Sequence, residues 1–485
     1  MIKVFNQSSK GVHVMELFNE ILKLINDIAW SKFLIFALIA VGLYFTYKLK
    51  FVQFTHIKEM LYLITKGGKR EKGKISPFQA FCISAAARIG VGNLAGVALA
   101  ISLGGAGAVF WMWMIALIGA ATSFVECTLA QIYKIKDGAS FRGGPAYYME
   151  KGLKSRKTGI WFSILITVTY GLIFNSVQAN TVTLAFNNTF HLNRTAIGIA
   201  LALLVGMIIF GGVKSIARVS EVIVPPMAIV YIIVAAYVVI TNITMMPEVF
   251  TLIFKSAFGM DQVIGGGIGA AMKNGIQRGL FATEAGMGSS PNAAATANIS
   301  HPAKQGLIQA LGVFIDTFLV CTSTAFIVLI SGAYTIPNVE GIVITQVALS
   351  SQVGDWAGIF LSVLIFLFAF STLLGNYYYG ETNIAFVKDS KIIITIYRLF
   401  AVGMILFGSV AKLETVWNLA DVFMGLMVIT NVIVILILGK FAFLTLADYV
   451  KQKSAGKDPV FYADTIPGLE NTECWERDGH SYQVK

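Results

Sequence analysis

Two stretches of this chain set runs of glycine inside apolar surroundings, and both could do chemistry with bare backbone. The first is Arg88-Ile89-Gly90-Val91-Gly92-Asn93-Leu94-Ala95-Gly96, with three glycines in seven residues. The second runs from Gly265-Gly266-Gly267 to Arg278-Gly279-Leu280-Phe281-Ala282-Thr283-Glu284-Ala285-Gly286-Met287-Gly288-Ser289-Ser290-Pro291. A helix in lipid must satisfy its own backbone hydrogen bonds, so a break is tolerated only where it lines a cavity or is buried in protein. A broken helix offers N–H groups and a partial positive charge to an anion. Its freed carbonyls offer oxygen to a cation. A zwitterion such as an amino acid fits both ends at once. Either stretch alone reads equally well as small-residue packing, and Gly92-x-x-x-Gly96 fits that pattern. Two such stretches at matching positions of two halves point instead to a transporter built from inverted repeats.

Charged residues lie in or near the apolar runs: Arg88, Glu126, Lys273, Arg278, Glu284, Asp316, Glu381 and Asp421. Ionisable groups at membrane depth are functional hypotheses with a partner to be found. Spacing does not pair these; Arg278 and Glu284, six apart, share a helix face poorly. Each reads first as half of a buried ion pair, and Glu284 or Asp316 reads as a proton site if coupling uses H+. Other chemistries are excluded. The five histidines never fall at i, i+4, so a metalloprotease helix is absent, and the four cysteines lie too far apart for a zinc or disulfide framework. No G-x-x-x-x-G-K-[ST] occurs to hold ATP. Gly288-Ser289-Ser290-Pro291 resembles a nucleophile turn only superficially, with no base in view. An enzyme is therefore not expected.

The elements that must position these residues follow from composition. The chain has 485 residues, 56% hydrophobic and 13% charged, where a soluble domain is usually about 25% charged. It is an all-α polytopic membrane protein. Its net charge of +11 belongs to membrane topology and not to nucleic acid. Eleven spans are expected, at 30–47, 76–103, 107–133, 159–186, 195–212, 218–241, 261–290, 303–331, 354–387, 391–411 and 414–439. Residues 15–29 carry apolar side chains on one helical face and read as an interfacial helix. Met15 opens that helix, which leaves residues 1–14 as an upstream extension. No signal peptide is expected, since the first apolar run ends in Tyr47-Lys48. Lys and Arg crowd the odd-numbered connections, 48–74 and 134–157 above all, and 332–353 has none. That alternation puts the N-terminus outside and the C-terminus in the cytoplasm of a cell inner (plasma) membrane protein. The chain then divides into an N-terminal segment 1–29, an extra first helix 30–47, five-helix halves 76–241 and 261–439, and a cytoplasmic tail 440–485.

At the broken stretches the sequence resembles the alanine/glycine:cation symporter family. Besides those stretches, the resemblance rests on Gly143-Gly-Pro-Ala-Tyr-Tyr-Met-Glu-Lys-Gly152, Gly211-Gly-Val-Lys-Ser-Ile-Ala-Arg-Val-Ser-Glu221 and Ala293-Ala-Ala-Thr-Ala297. Asp316-Thr-Phe-Leu-Val-Cys-Thr322, Gly375-Asn-Tyr-Tyr-Tyr-Gly-Glu381 and Asp458-Pro-Val-Phe461 carry it on through the tail. It spans about Phe78 to Phe461 in one order. The resemblance implies a LeuT-like five-plus-five inverted repeat preceded by one extra helix. It also implies Na+-coupled uptake of alanine or glycine by alternating access, with H+ as the coupling ion in some relatives. A channel is the competing class; its filter would be repeated by oligomeric symmetry, whereas these two stretches differ in sequence.

The resemblance also implies a site. The substrate carboxylate is expected at the backbone of Gly90, Val91 and Gly92 with the Asn93 amide beside it. Val91 stands where relatives commonly have Thr, which removes a hydroxyl and leaves backbone recognition intact. Gln178 matches the family's pocket glutamine; on its own it would read as an interhelical hydrogen bond. Carbonyls at Thr283, Glu284 and Gly286 are expected to meet the ammonium. Ser371 and Thr372 match the family's hydroxyl pair for Na+, with carbonyls near Ala87 and Ile89; alone, such hydroxyls would back-bond to their own helix. Asn376 stands where many relatives have Trp, facing the substrate, and leaves the choice of substrate more open.

Overall fold

The computed structural model describes residues 17–66, 74–138, 140–209, 212–260 and 267–477. The expected extension 1–14 lies outside them. The main helices are α1 (Leu17–Ala29), α2 (Lys32–Lys48), α3 (Pro77–Arg88), α4 (Gly92–Gly104), α5 (Gly107–Ile132), α6 (Arg156–Phe190), α7 (Arg194–Ile209) and α8 (Gly212–Thr241). The second half holds α9 (Gly267–Thr283), α10 (Ser290–Ala295), α11 (Pro302–Ser331), α12 (Ile342–Val353), α13 (Trp356–Val387), α14 (Lys391–Val410) and α15 (Leu413–Ser454). A small antiparallel hairpin pairs Ile135–Asp137 with Ser140–Arg142.

Seven helices among the described residues are long and apolar enough to cross a membrane, or nine if each bent pair is one span. Two further expected spans, 195–212 and 261–290, each include residues outside the described ones; their described parts are the apolar helix α7 and helix α9, which gives way at Thr283. The segment expected to be an interfacial helix forms α1, bent by 43° from α2. Its Leu17, Phe18, Ile21, Ile25 and Ile28 are exposed while Leu22 is buried. The last helix does not stop at residue 439 but continues to Ser454.

Local sequence fixes where the broken helices begin. Ser76 accepts from the Gln79 amide, Gln79 answers to the Ser76 amide, and Pro77 fills the first turn of α3, which is a complete capping box. Helix α10 likewise carries Pro at its start. Ile75 and Ala297 form a parallel bridge, and the Asn298 amide donates to the Ile75 carbonyl at 2.9 Å. The segment before the first break is thereby stitched to the segment after the second. Helix α5 packs along both α9 and α11, while α13 packs against α3, α6 and α8. Both breaks are held between these helices, with every residue from Gly90 to Ala98 and from Leu280 to Ile299 buried.

Candidate functional site: two facing helix breaks

At the first break the helical ladder of α3 ends on the Ile89 amide, which donates to Ala85 at 2.7 Å. The next amides turn away. Gly90 N–H donates to Asn93 Oδ1 at 3.0 Å, and Val91 N–H to Gln178 Oε1 at 3.3 Å. The Asn93 amide turns to the Gly90 carbonyl at 3.3 Å. The donors that would have served the carbonyls of Ala86, Ala87 and Ile89 are thus engaged elsewhere. The Thr372 hydroxyl takes up the first of these, lying 2.7 Å from the Ala86 carbonyl and 2.9 Å from that of Phe368. Ser371 back-bonds to the Phe368 carbonyl at 2.9 Å. A Cβ on Gly90 would fall 2.4 Å from Thr372 Oγ1 and 3.3 Å from Gln178 Oε1. Only glycine fits there.

Chain resumes through π-helical turns at Gly92–Gly96, and two others occur at Thr169–Phe174 and Ile315–Cys321. Such widened turns gather at functional sites because they re-aim side chains and loosen the ladder. The first and third meet where Asn93 Nδ2 donates to Asp316 Oδ1 at 2.6 Å and reaches Cys321 Sγ at 3.3 Å.

At the second break Glu284 takes a left-handed backbone (φ +56°), followed by Gly286 at φ +85° and Gly288 at φ +79°. The Glu126 carboxylate, fully buried on α5, caps this turn: Oε1 accepts from the Gly286 amide and Oε2 from that of Gly288, each at 3.1 Å. Asn431 Nδ2 donates to Glu126 Oε2 at 2.9 Å and to the Gly286 carbonyl at 3.0 Å. Tyr148 Oη closes the set by donating to Asn431 Oδ1. The Glu284 carboxylate accepts from Ser289 and Ser290 hydroxyls at 2.7 and 3.2 Å. Arg88 joins the breaks, its Nε donating to Ser290 Oγ at 3.1 Å and Nη2 to Gln309 Oε1 at 2.8 Å. The buried Arg278 pairs with Asp421 and stacks over Trp417, its guanidinium 4.5 Å from the ring centre.

The structure brings Gly90, Val91, Gln178 and Thr372 together, with Ala87 against Gly375. It engages Asn93 fully within the bundle, its oxygen on Gly90 and its nitrogen on Asp316. Gly92 faces Phe281, whose ring would lie 2.7 Å from a Cβ there. Of the three carbonyls expected at the second break, that of Glu284 accepts from Met287 N–H at 3.1 Å and that of Gly286 from Asn431. The Thr283 carbonyl loses its helical donor, Met287, to that contact. The capping role of Glu126 went unassigned in the sequence, although Gly286-x-Gly288 is a spacing that can present two amides to one carboxylate. Gln309 and Asn431 gave no signal at all. Among the described residues no group of three or more His, Cys, Asp or Glu could hold a metal ion. The oxygens at the first break are neutral: the Ala86 and Phe368 carbonyls, the Ser371 and Thr372 hydroxyls and the Gln178 amide.

Two half-helices broken face to face inside a helical membrane bundle define a transporter. A known solved structure has the same fold: the manganese transporter of Eremococcus coleocola aligns with a TM-score of 0.53 at 13% identity, over 80% of this chain and 89% of that one. The chain belongs to the sodium:alanine symporter family, whose model matches residues 15–463. It is 56% identical to the probable sodium/glutamine symporter GlnT of Bacillus subtilis, over 97% of this chain and all of the relative. It is 39% identical to the sodium/proton-dependent alanine carrier protein of Bacillus sp. PS3, over 88% of this chain and 99% of that relative.

Proposed function

We propose that the chain is a secondary active symporter that imports a neutral amino acid with Na+ by alternating access around the two breaks. The observation that carries this reading is the meeting of Gly90, Gln178 and Thr372 where α3 loses its ladder. Backbone amides and an uncharged amide side chain suit a carboxylate. The Ala87 and Ile89 carbonyls with the Thr372 hydroxyl suit Na+, which takes oxygen ligands. An uncharged pocket suits a zwitterion, because no fixed charge is stranded when the ligand leaves. Membership of the sodium:alanine symporter family supports alanine, and the sequence resemblance adds glycine; the name of the Bacillus subtilis relative supports glutamine.

Proton coupling is the second reading, favoured by one contact set: the described bonds to the buried Asp316 carboxylate come from the Asn93 amide at 2.6 Å and the Cys321 thiol at 3.9 Å. Uptake of radiolabelled alanine and glutamine into proteoliposomes, under an imposed Na+ or proton gradient, tests both. Na+-driven accumulation supports the first reading, proton-driven accumulation without Na+ supports the second, and gradient-independent leakage overturns symport.

A further inference from the structure

Thr372, Asn376 and Tyr379 stand at i, i+4 and i+7 on α13 and so share one helical face. Thr372 meets the first break through Ala86 and Gly90. Tyr379 lies at the far end of the stripe, its ring 5.4 Å from that of Tyr170. Tyr170 in turn sends its hydroxyl to within 3.8 Å of the Met287 sulfur, in the second break. Asn376 therefore lies between the two breaks. It is fully buried, and neither its Oδ1 nor its Nδ2 has a partner among the described residues; the Tyr379 hydroxyl has none either.

Buried carboxamides without any bond are rare, and each such case asks for an explanation. Asn93, Gln178, Asn383 and Asn431 all bond to backbone or side chain. The buried Gln305 on α11 also has both amide atoms without a partner among the described residues, but it does not lie on the face of α13 between the two breaks. A transported alanine or glycine brings only a methyl or a hydrogen to Asn376 and leaves both of its polar atoms unmet. A side-chain carboxamide brings an N–H for Oδ1 and a carbonyl for Nδ2, a two-point match in which each group donates once and accepts once. A carboxylate in the same place could accept from Nδ2 but would leave Oδ1 unmet and bury a charge. The step from Thr372 to Asn376 rises about 6 Å along the helix, which a side chain of two methylenes spans better than one of a single methylene.

Resting on the symport reading above, we propose that Asn376 is a specificity-determining residue that reads the side-chain carboxamide of the substrate, making glutamine the preferred cargo over alanine. Sites built to bond a polar group reject analogues lacking it far more strongly than apolar sites reject an extra group.

The test uses the full chain in two formats: ligand-induced thermal stabilisation in detergent, and Na+-driven uptake in proteoliposomes. L-Glutamine, L-alanine and L-norleucine are compared in each. Wild type should bind glutamine at least tenfold more tightly than alanine or norleucine. Asn376→Leu, and Asn376→Ser where the leucine variant does not fold, should lower the glutamine-over-alanine ratio by tenfold or more. Equal affinities in wild type, or a ratio unchanged in a folded variant, overturn the proposal even where Na+ drives uptake. Selective glutamine binding that Asn376→Leu abolishes, without Na+-driven uptake, upholds the role of Asn376 and defeats symport instead.

Discussion

The Thr372 hydroxyl lies 2.7 Å from the Ala86 carbonyl and ties α13 to the carbonyl end of the first broken helix. That contact joins a helix of the second half to the breakpoint of the first, at the place where the α3 ladder gives out. Any displacement of the broken helix relative to α13 must stretch or break it.

Replacing Thr372 by Ala removes one neutral hydroxyl from this junction. The expected result is a weaker dependence on Na+ concentration with a smaller effect on substrate affinity once Na+ is saturating. A neutral hydrogen bond contributes about 0.5–1.5 kcal/mol, so the half-saturating Na+ concentration should rise roughly threefold to tenfold. Uptake measured over a Na+ series reads this directly. Equal losses in both quantities would remove Thr372 from the cation's surroundings.

Two glycines should not tolerate side chains. A Cβ on Gly90 would press to 2.4 Å of Thr372 Oγ1, and one on Gly92 to 2.7 Å of the Phe281 ring. Both lie below any normal carbon contact, and both neighbours are held, Thr372 by its hydrogen bonds and Phe281 between Phe174 and Trp417. Gly90→Ala and Gly92→Val should each abolish amino-acid uptake while protein still reaches the membrane, as shown by surface labelling. Retained uptake in Gly90→Ala would place the substrate away from this backbone.

These glycines were legible in the sequence because a break inside an apolar run has few physical excuses. The same reasoning located the second break, since Gly286-Met-Gly288 supplies the positive φ angles that other residues adopt at a cost. The partners that hold the breaks were not legible. Arg88 could have paired with any of several carboxylates; it instead spans from Ser290 to Gln309, contacts separated by more than two hundred residues. Asn93 is expected from sequence beside the substrate carboxylate, and spacing gives no sign that its amide also bonds Gly90 and Asp316. Long-range pairing of this kind depends on which helices become neighbours, and a hydropathy pattern does not carry that.

Glu126 is the acceptor for two amides of the second break, at Gly286 and Gly288, and for Asn431. Glutamine in its place has one acceptor oxygen and a donor NH2, so an amide of the turn is left facing another donor. Leaving a buried donor unsatisfied costs about 1–3 kcal/mol. Glu126→Gln should therefore lower the thermal stability of the detergent-solubilised protein and reduce uptake together. Glu126→Asp, which keeps both oxygens on a shorter stem, should recover part of each. A stable Glu126→Gln protein with full uptake would show that the turn holds without its cap.

Lys134 follows α5 and is buried under the C-terminal tail. Its ammonium lies 2.8 Å from Gln131 Oε1, 3.0 Å from the Ala297 carbonyl and 4.8 Å from the centre of the Trp475 ring. Trp475 Nε1 donates to the Gln131 carbonyl at 2.9 Å, and the Cys474 thiol to that of Lys134 at 3.4 Å. Burial pulls the Lys134 pKa down to about 7, with the Cys474 thiol raising it and Lys74 lowering it to lesser degrees. An undocked tail frees this lysine to titrate near its ordinary value of about 10.4. Between those two values the undocked state binds more protons, so docking strengthens as pH rises through that window. Below pH 7 the ammonium is present in both states, and the docked one bears its full desolvation. Cleavage of the tail by a protease active from pH 7 to 9.5, normalised to a denatured substrate, should slow as pH rises. In Lys134→Met the strengthening with pH should be lost. Any dependence left should run the other way, because burial pushes the Cys474 thiol up and docking then weakens as that thiol ionises. A wild-type tail whose protection falls with rising pH, or a variant with the same profile, would separate Lys134 from the docking of the tail.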